Sequence, residues 1–153
     1  MGLNSTNEGM MRAEFTVMGN PKGKGRPRFT NRDGYTRTYT PSETVSYENL
    51  VALEFERQCG KVFFEKDIPL RMVITAYLPI PSSVSKKKRA QMVNGELYPL
   101  KKADSSNILK AVEDALNGVA YHDDVQFVDS RVLRYYGEVP RVEVMIEDIS
   151  GVK

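Results

Sequence analysis

The chain has 153 residues, 41% apolar and 27% charged, which suits one domain with its own core and excludes a disordered or fibrous chain. A lone Cys59 and a lone His122 exclude an internal disulfide and any cysteine- or histidine-rich metal site. With a net charge of only +2, no apolar run of roughly 20 residues and no signal-peptide pattern, the expectation is a cytoplasmic protein of a reducing compartment, without membrane attachment.

Residues 1–11 are polar and aperiodic and read as a flexible tail, in which Met10 and Met11 are alternative starts to Met1. The domain is expected over 12–149, with a short tail over 150–153. Ala13, Phe15 and Val17 alternate with polar residues, the period of a strand. Gly19 and Pro21 stop it and open a basic segment through Tyr39. Pro21, Pro27 and four glycines keep that segment from being a long helix or a central strand. From Pro41 the period becomes helical: Ser42 is an N-cap candidate, Tyr47, Leu50, Val51 and Phe55 make one face, and Gly60 ends it.

Residues 69–79 read as a largely buried strand, stopped by Pro79 and Pro81. Residues 82–95 predict a short basic helix closed by Gly95. A second helix carries Ile108, Leu109, Val112, Ala115 and Leu116 as its apolar stripe and stops at Asn117-Gly118. Strands are predicted over 125–135 and 141–148. Strands and helices alternate too little for a doubly wound sheet, so the prediction is a single α+β domain, a small mixed sheet with helices packed on it.

The near-neutral total hides three charge blocks. Lys22, Lys24, Arg26, Arg28, Arg32 and Arg37 face Asp33 alone within residues 20–39. Lys86, Lys87, Lys88, Arg89, Lys101 and Lys102 face Glu96 alone within 86–102. Between 104 and 124 the balance reverses: Asp104, Glu113, Asp114, Asp123 and Asp124 against Lys110. Basic blocks around an acidic cluster point to a polyanion and a divalent cation, although each run is also what a solvated surface looks like. GNPKGKGRPR, residues 19–28, has the spacing of neither phosphate-binding fingerprint; it reads as a flexible basic arm for sequence-independent phosphate contacts. Phe29, Tyr35 and Tyr39 interleave with its charges and can either stack on exposed bases or pack on the core.

Magnesium binds oxygen, typically one or two carboxylates with water and substrate phosphate, and Asp104 with Asp124 can supply such a site. Lys110 is then placed to neutralise charge on a phosphate oxygen. Plainer readings stand beside these. Lys110 and Asp114 can form an i,i+4 surface pair, Ser105 or Ser106 can cap the helix, and Asp123-Asp124 can be only a turn. In extended chain His122 shares a side with Asp124, as a base or ligand; alternatively it is a passive polar residue.

Three blocks together resemble the RusA family of Holliday-junction resolvases, from about Phe15 to Glu147. They are FTVMGNPKGKGRPRF with the tyrosine-bearing segment after it, the proline-bounded strand leading into PSSVSKKKR, and DSSNILK followed by EDALNG and YHDDVQ. The resemblance implies a homodimeric endonuclease, of a kind common in phages, that makes paired symmetric nicks in four-way DNA junctions during recombination and repair. It implies magnesium as cofactor, with manganese as a substitute. By motif position, Asp104 and Asp124 are the catalytic, metal-holding aspartates, Asp123, the neighbour of the latter, is a further metal-ligand candidate, Lys110 is the motif lysine and Asn107 the motif asparagine. Lys22, Lys24, Arg26, Arg28, Lys86, Lys87, Lys88, Arg89, Lys101 and Lys102 are the expected DNA contacts. Two coordinated nicks across a symmetric junction also call for two sites about a two-fold axis. One position departs: the family's second catalytic aspartate is Ser106 here. Glu113 borders the same polar face as Lys110 and is the candidate to take over that carboxylate's catalytic and metal-holding role. The alternative is a catalytically weakened binder of branched or single-stranded nucleic acid.

Overall fold

The computed structural model describes residues 2–5, 10–25, 28–32, 35–39 and 42–151, with backbone alone for 2–5, 28–32 and 35–39. In chain order the elements are β1 (Gly2–Ser5), β2 (Met11–Met18), β3 (Arg28–Arg32), β4 (Tyr35–Tyr39), α1 (Ser42–Cys59), β5 (Leu70–Pro79), α2 (Lys86–Val93), α3 (Ser105–Leu116), β6 (Phe127–Gly137) and β7 (Arg141–Asp148). The expected single α+β domain is what forms. Its centre is a mixed sheet of four strands in the order β2-β7-β5-β6, with β1 laid along the β2 edge; β3 and β4 pair separately.

Period-2 apolar patterns place one side chain of every pair beneath the helices. Ala13, Phe15 and Val17 of β2, Met72, Ile74 and Ala76 of β5, and Val142, Val144 and Ile146 of β7 are all buried. Register aligns them in rows: Phe15 lies opposite Val144, Val144 opposite Ile74, and Ile74 opposite Val132. The next row runs Val17, Val142, Ala76 and Arg134, which puts Arg134 on the helix side of the edge strand β6. β5 and β6 are parallel, so the chain must leave the sheet between them, and α2 and α3 lie in that crossover.

α1 covers the β2 side of this face through Thr44, Tyr47, Val51, Phe55 and Cys59. Leu50, expected on that stripe, is 38% exposed because the stripe advances by three and then four residues and skips it. Ser42, expected as the cap, is already the first helical residue. α3 lies beside α1 and buries Ile108, Ala111, Val112, Ala115 and Leu116. On the opposite face of the sheet charges pair across strands. Arg71 reaches Asp129 at 2.8 Å and Glu147 at 2.9 Å.

One expectation is corrected at the N-terminus. Residues 1–11 were read as a tail, but Gly2–Ser5 pair antiparallel with β2, Gly2 opposite Glu14, and Met11 opens β2 itself. The β2 edge offers unpaired backbone groups, and a polar segment without alternation can still use them. No helix among the described residues is long and apolar enough to cross a membrane.

The Phe55 ring meets Phe15 edge-on with centroids 5.5 Å apart, and both are 1% exposed. Replacing Phe55 by Ala removes the main α1–sheet contact and should cost about 3–5 kcal/mol, read as a lower urea midpoint with an unchanged slope.

Candidate active site

The site is built on α3, because burying its apolar stripe turns the opposite stripe outward. At roughly 100° per residue, Ser106, Lys110 and Glu113 fall within about 60° of one another on that outward side. Asp104 is the N-cap residue, yet its side chain makes no capping bond; the Ser106 hydroxyl donates to its Oδ2 at 3.4 Å instead. The carboxylate at the head of α3 is thus exposed, about 14 Å along the axis from Glu113.

The far end of the stripe is where charges converge. Lys110 pairs with Asp114 at 3.2 Å, so the plain i,i+4 ion pair does form. Asp114 holds the Lys110 ammonium above its ordinary range, with smaller help from Asp124 and Glu113. Burial raises the Glu113 carboxyl, and repulsion from Asp124 raises it further. Asp124 is itself raised, first by its hydrogen bond with Asp123 and then by burial, while Asp123 is lowered by the same bond. Glu113, Asp124, Lys110 and Asp114 therefore form one electrostatic group, and Asp104 stands at the other end of the helix.

Asp124 reaches this group because of how the chain returns. α3 stops at Leu116, and Gly118 takes a positive φ of 78° that a side chain would oppose. The fully buried Tyr121 then donates its hydroxyl to the Glu113 carbonyl at 2.6 Å. Burial holds that phenol far above its usual range, so it remains a donor. A short 3-10 turn over Asp124–Gln126 follows. Asp123 caps it by accepting from the Val125 N–H at 3.3 Å, and Gln126 Oε1 accepts from the Asp123 N–H at 2.9 Å. The Gln126 amide also donates to the carbonyls of Glu65 and Ile68, at 2.8 and 3.1 Å. Asp123 is thereby committed to the cap. His122 lines a cleft of about 380 Å³ together with Asp123.

The basic arm is not free as far as residue 25. The Lys24 N–H donates to the Asn107 carbonyl at 2.9 Å, and the Gly25 N–H donates to Thr44 Oγ1 at 3.0 Å. A Cβ at Gly23 would lie 2.8 Å from that of Asn107, so the approach of arm to helix requires glycine there. Lys24, expected as a phosphate contact, lies between Glu48 at 2.6 Å and Asp114 at 3.1 Å. It ties α1 to α3, since a half-buried ammonium is held by paired carboxylates. Lys22 is exposed. Arg26 lies outside the described residues, and of Arg28, Phe29, Tyr35 and Tyr39 only the backbone is described.

A cleft of about 940 Å³ opens at the head of α3. Lys24, Lys101, Lys102 and Arg134 supply its basic edges, and Asp104 and Asn107 supply the helix side. Lys86, Lys87, Lys88 and Arg89 are exposed on α2, whose first turn is capped by Ser85 accepting from the Lys88 N–H at 3.2 Å. Tyr121 and Gln126 stood in the YHDDVQ block without an assigned role, and Arg134 escaped the sequence reading. The capping-box spacing from Asp123 to Gln126 was a signal for the role of Gln126; Arg134 acts on carbonyls more than thirty positions away and leaves no local pattern.

Among the described residues no three carboxylate, histidine or cysteine side chains sit close enough to hold a metal ion by themselves. The arrangement is a carboxylate pair beside a lysine on one surface stripe, next to a basic cleft with a further carboxylate. The profile of the family "Endodeoxyribonuclease RusA" matches residues 18–147. The chain is also similar to the uncharacterized protein YqaN of Bacillus subtilis (strain 168), 40% identical over 140 residues, which cover 90% of this chain and 97% of that one. The chain belongs to the RusA endodeoxyribonuclease family.

The repulsion at Glu113 makes a stability prediction. A carboxyl raised above its unfolded-state value weakens the fold at neutral pH, where it must ionise, and the penalty fades as pH falls through the carboxylate range. In chelator, Glu113→Gln should unfold at higher urea than the parent at pH 7, and the gap should close by pH 4.

Proposed function

We propose that the protein is a magnesium-dependent endonuclease that resolves four-way DNA junctions by paired symmetric nicks, acting as a cytoplasmic homodimer on recombination or repair intermediates of the kind phages generate. The observation that carries this reading is the gathering of a half-buried Glu113 and of Asp124 within electrostatic reach of Lys110, on a scaffold of the RusA endodeoxyribonuclease family.

A divalent cation fits this donor set. A half-buried carboxylate raised by burial and by a neighbouring carboxylate is what a hard cation relieves, and magnesium needs only one or two carboxylates when substrate phosphate and water complete its shell. When bound it would supply polarisation of the scissile phosphate and of the attacking water. Asp124 and Glu113 would hold it, with Asp104 facing the DNA from the basic cleft. Ser106 and Glu113 differ by about 20° around the axis and by about 10 Å along it. Glu113 therefore compensates for the missing carboxylate by moving the second ligand to the Asp124 end. The chain's own residues do the rest. Lys110 stays protonated and balances charge that develops on the phosphate oxygens. Asp123 and Gln126 keep Asp124 in its turn. Lys101, Lys102 and the exposed α2 lysines make phosphate contacts that set orientation without reading sequence.

A second reading is a catalytically weakened binder of branched DNA. Ser106 in place of an aspartate favours it, as does the separation of Asp104 from Glu113 by about 14 Å along the α3 axis.

The deciding experiment is nicking of a synthetic four-way junction. Magnesium should produce paired nicks that chelator abolishes, and manganese should substitute. Asp124→Asn, Glu113→Gln and Lys110→Met should each slow nicking at least ~100-fold while junction binding persists. Tight binding by the parent protein without nicks would establish the second reading, and full activity in Glu113→Gln would refute the compensation.

A further inference from the structure

Leu100 is 91% exposed, more than any other large hydrophobic side chain among the described residues. A single exposed leucine needs no explanation when its loop is loose. This loop is held on both sides of the leucine. Before it, Pro99 is buried and the Tyr98 ring packs against Tyr135 with centroids 6.0 Å apart. After it, Arg134 Nη1 donates to the carbonyls of Lys101 at 2.9 Å and Ala103 at 3.1 Å. Arg134 and Tyr135 are consecutive on β6 and face opposite sides of the sheet, so the loop straddles the sheet edge and is gripped from both sides. The fold thus spends four side chains on presenting an apolar one to solvent.

The surroundings say what would cover it. Leu100 lines the basic cleft together with Asp104, and Lys101 and Lys102 follow it directly. An apolar tip flanked by two ammonium groups suits a target that is apolar on one surface and anionic along its border. A protein surface rarely offers that combination. An unstacked base step between phosphates does, and leucine is among the side chains that enter such steps as wedges. A branch point exposes base faces that continuous duplex keeps stacked.

We propose that Leu100 is a specificity-determining wedge, seated against the open base step at the centre of branched DNA, with Lys101 and Lys102 on the adjoining phosphates. The inference rests on the branched-DNA reading above and adds the residue that distinguishes a junction from linear duplex.

The test uses the full chain in chelator, with a four-way junction carrying 2-aminopurine at the branch point and a linear duplex of matched sequence. The parent protein should raise the 2-aminopurine fluorescence and prefer the junction. Leu100→Ala should lower junction affinity about tenfold, leave duplex affinity within about twofold, and abolish the fluorescence rise; Leu100→Phe should keep all three properties. Replacing Lys101 and Lys102 by Ala should weaken both substrates alike. Junction preference and fluorescence unchanged in Leu100→Ala would overturn the wedge while leaving the nuclease reading intact. Weaker self-association of that variant in sedimentation, with junction preference unchanged, would overturn it in favour of a contact between copies of the chain. A parent protein with no junction preference in chelator and no nicking when magnesium is supplied would overturn both readings.

Discussion

Burial of one side of α3 is the constraint on which the rest depends. Ile108, Ala111, Val112, Ala115 and Leu116 can leave water only by lying on the sheet and against α1, and that fixes the rotation of the helix about its axis. Ser106, Lys110 and Glu113 then face outward by helical geometry alone. The remaining partners dock on the backbone and flanks of this one element. Lys24 bonds to the Asn107 carbonyl, Tyr121 to the Glu113 carbonyl, and Arg134 to the loop that delivers Asp104.

Electrostatics along α3 are uneven in a way that separates support from chemistry. Asp114 is shared by Lys24 and Lys110, and Glu48 shares Lys24, so that flank is compensated and serves to lock arm, α1 and α3 together. Glu113 and Asp124 make no ion pair within 4 Å among the described residues, feel Lys110 only at longer range, and Asp124 repels Glu113. The chain that carries Asp124 back to this helix is secured by a buried tyrosine and a buried glutamine. The basic cleft at the other end of the helix has its own supports, in Arg134 and the Tyr98–Tyr135 contact.

Much of this was legible from the chain because it is local. The α3 stripe, its stop at Asn117-Gly118 and the β5 strand bounded by prolines follow from periodicity and turn chemistry, which depend on residues within a few positions of one another. The three charge blocks and the carboxylates around Lys110 were legible for the same reason, and the match to the family motifs rests on such short spacings. The Leu50 misassignment shows the limit of that method, since a helical stripe predicted to within one position can still take in a neighbour that lies at its border.

What was not legible is what depends on residues brought together only by folding. That Gly2–Ser5 complete a sheet edge is decided by the open backbone groups of β2, not by any pattern in those four residues. That Lys24 is a tie and not a free cation is decided by Glu48 and Asp114, 24 and 90 positions away. The sequence determined the composition of the site and the face of α3 that carries it, because helical spacing is an intrinsic property of the chain. Only the tertiary structure decided that Asp124 comes within electrostatic reach of Glu113 while Asp104 lines the basic cleft, because the return of the chain is held by hydrogen bonds from Tyr121 to the Glu113 carbonyl and from Gln126 to the Glu65 carbonyl.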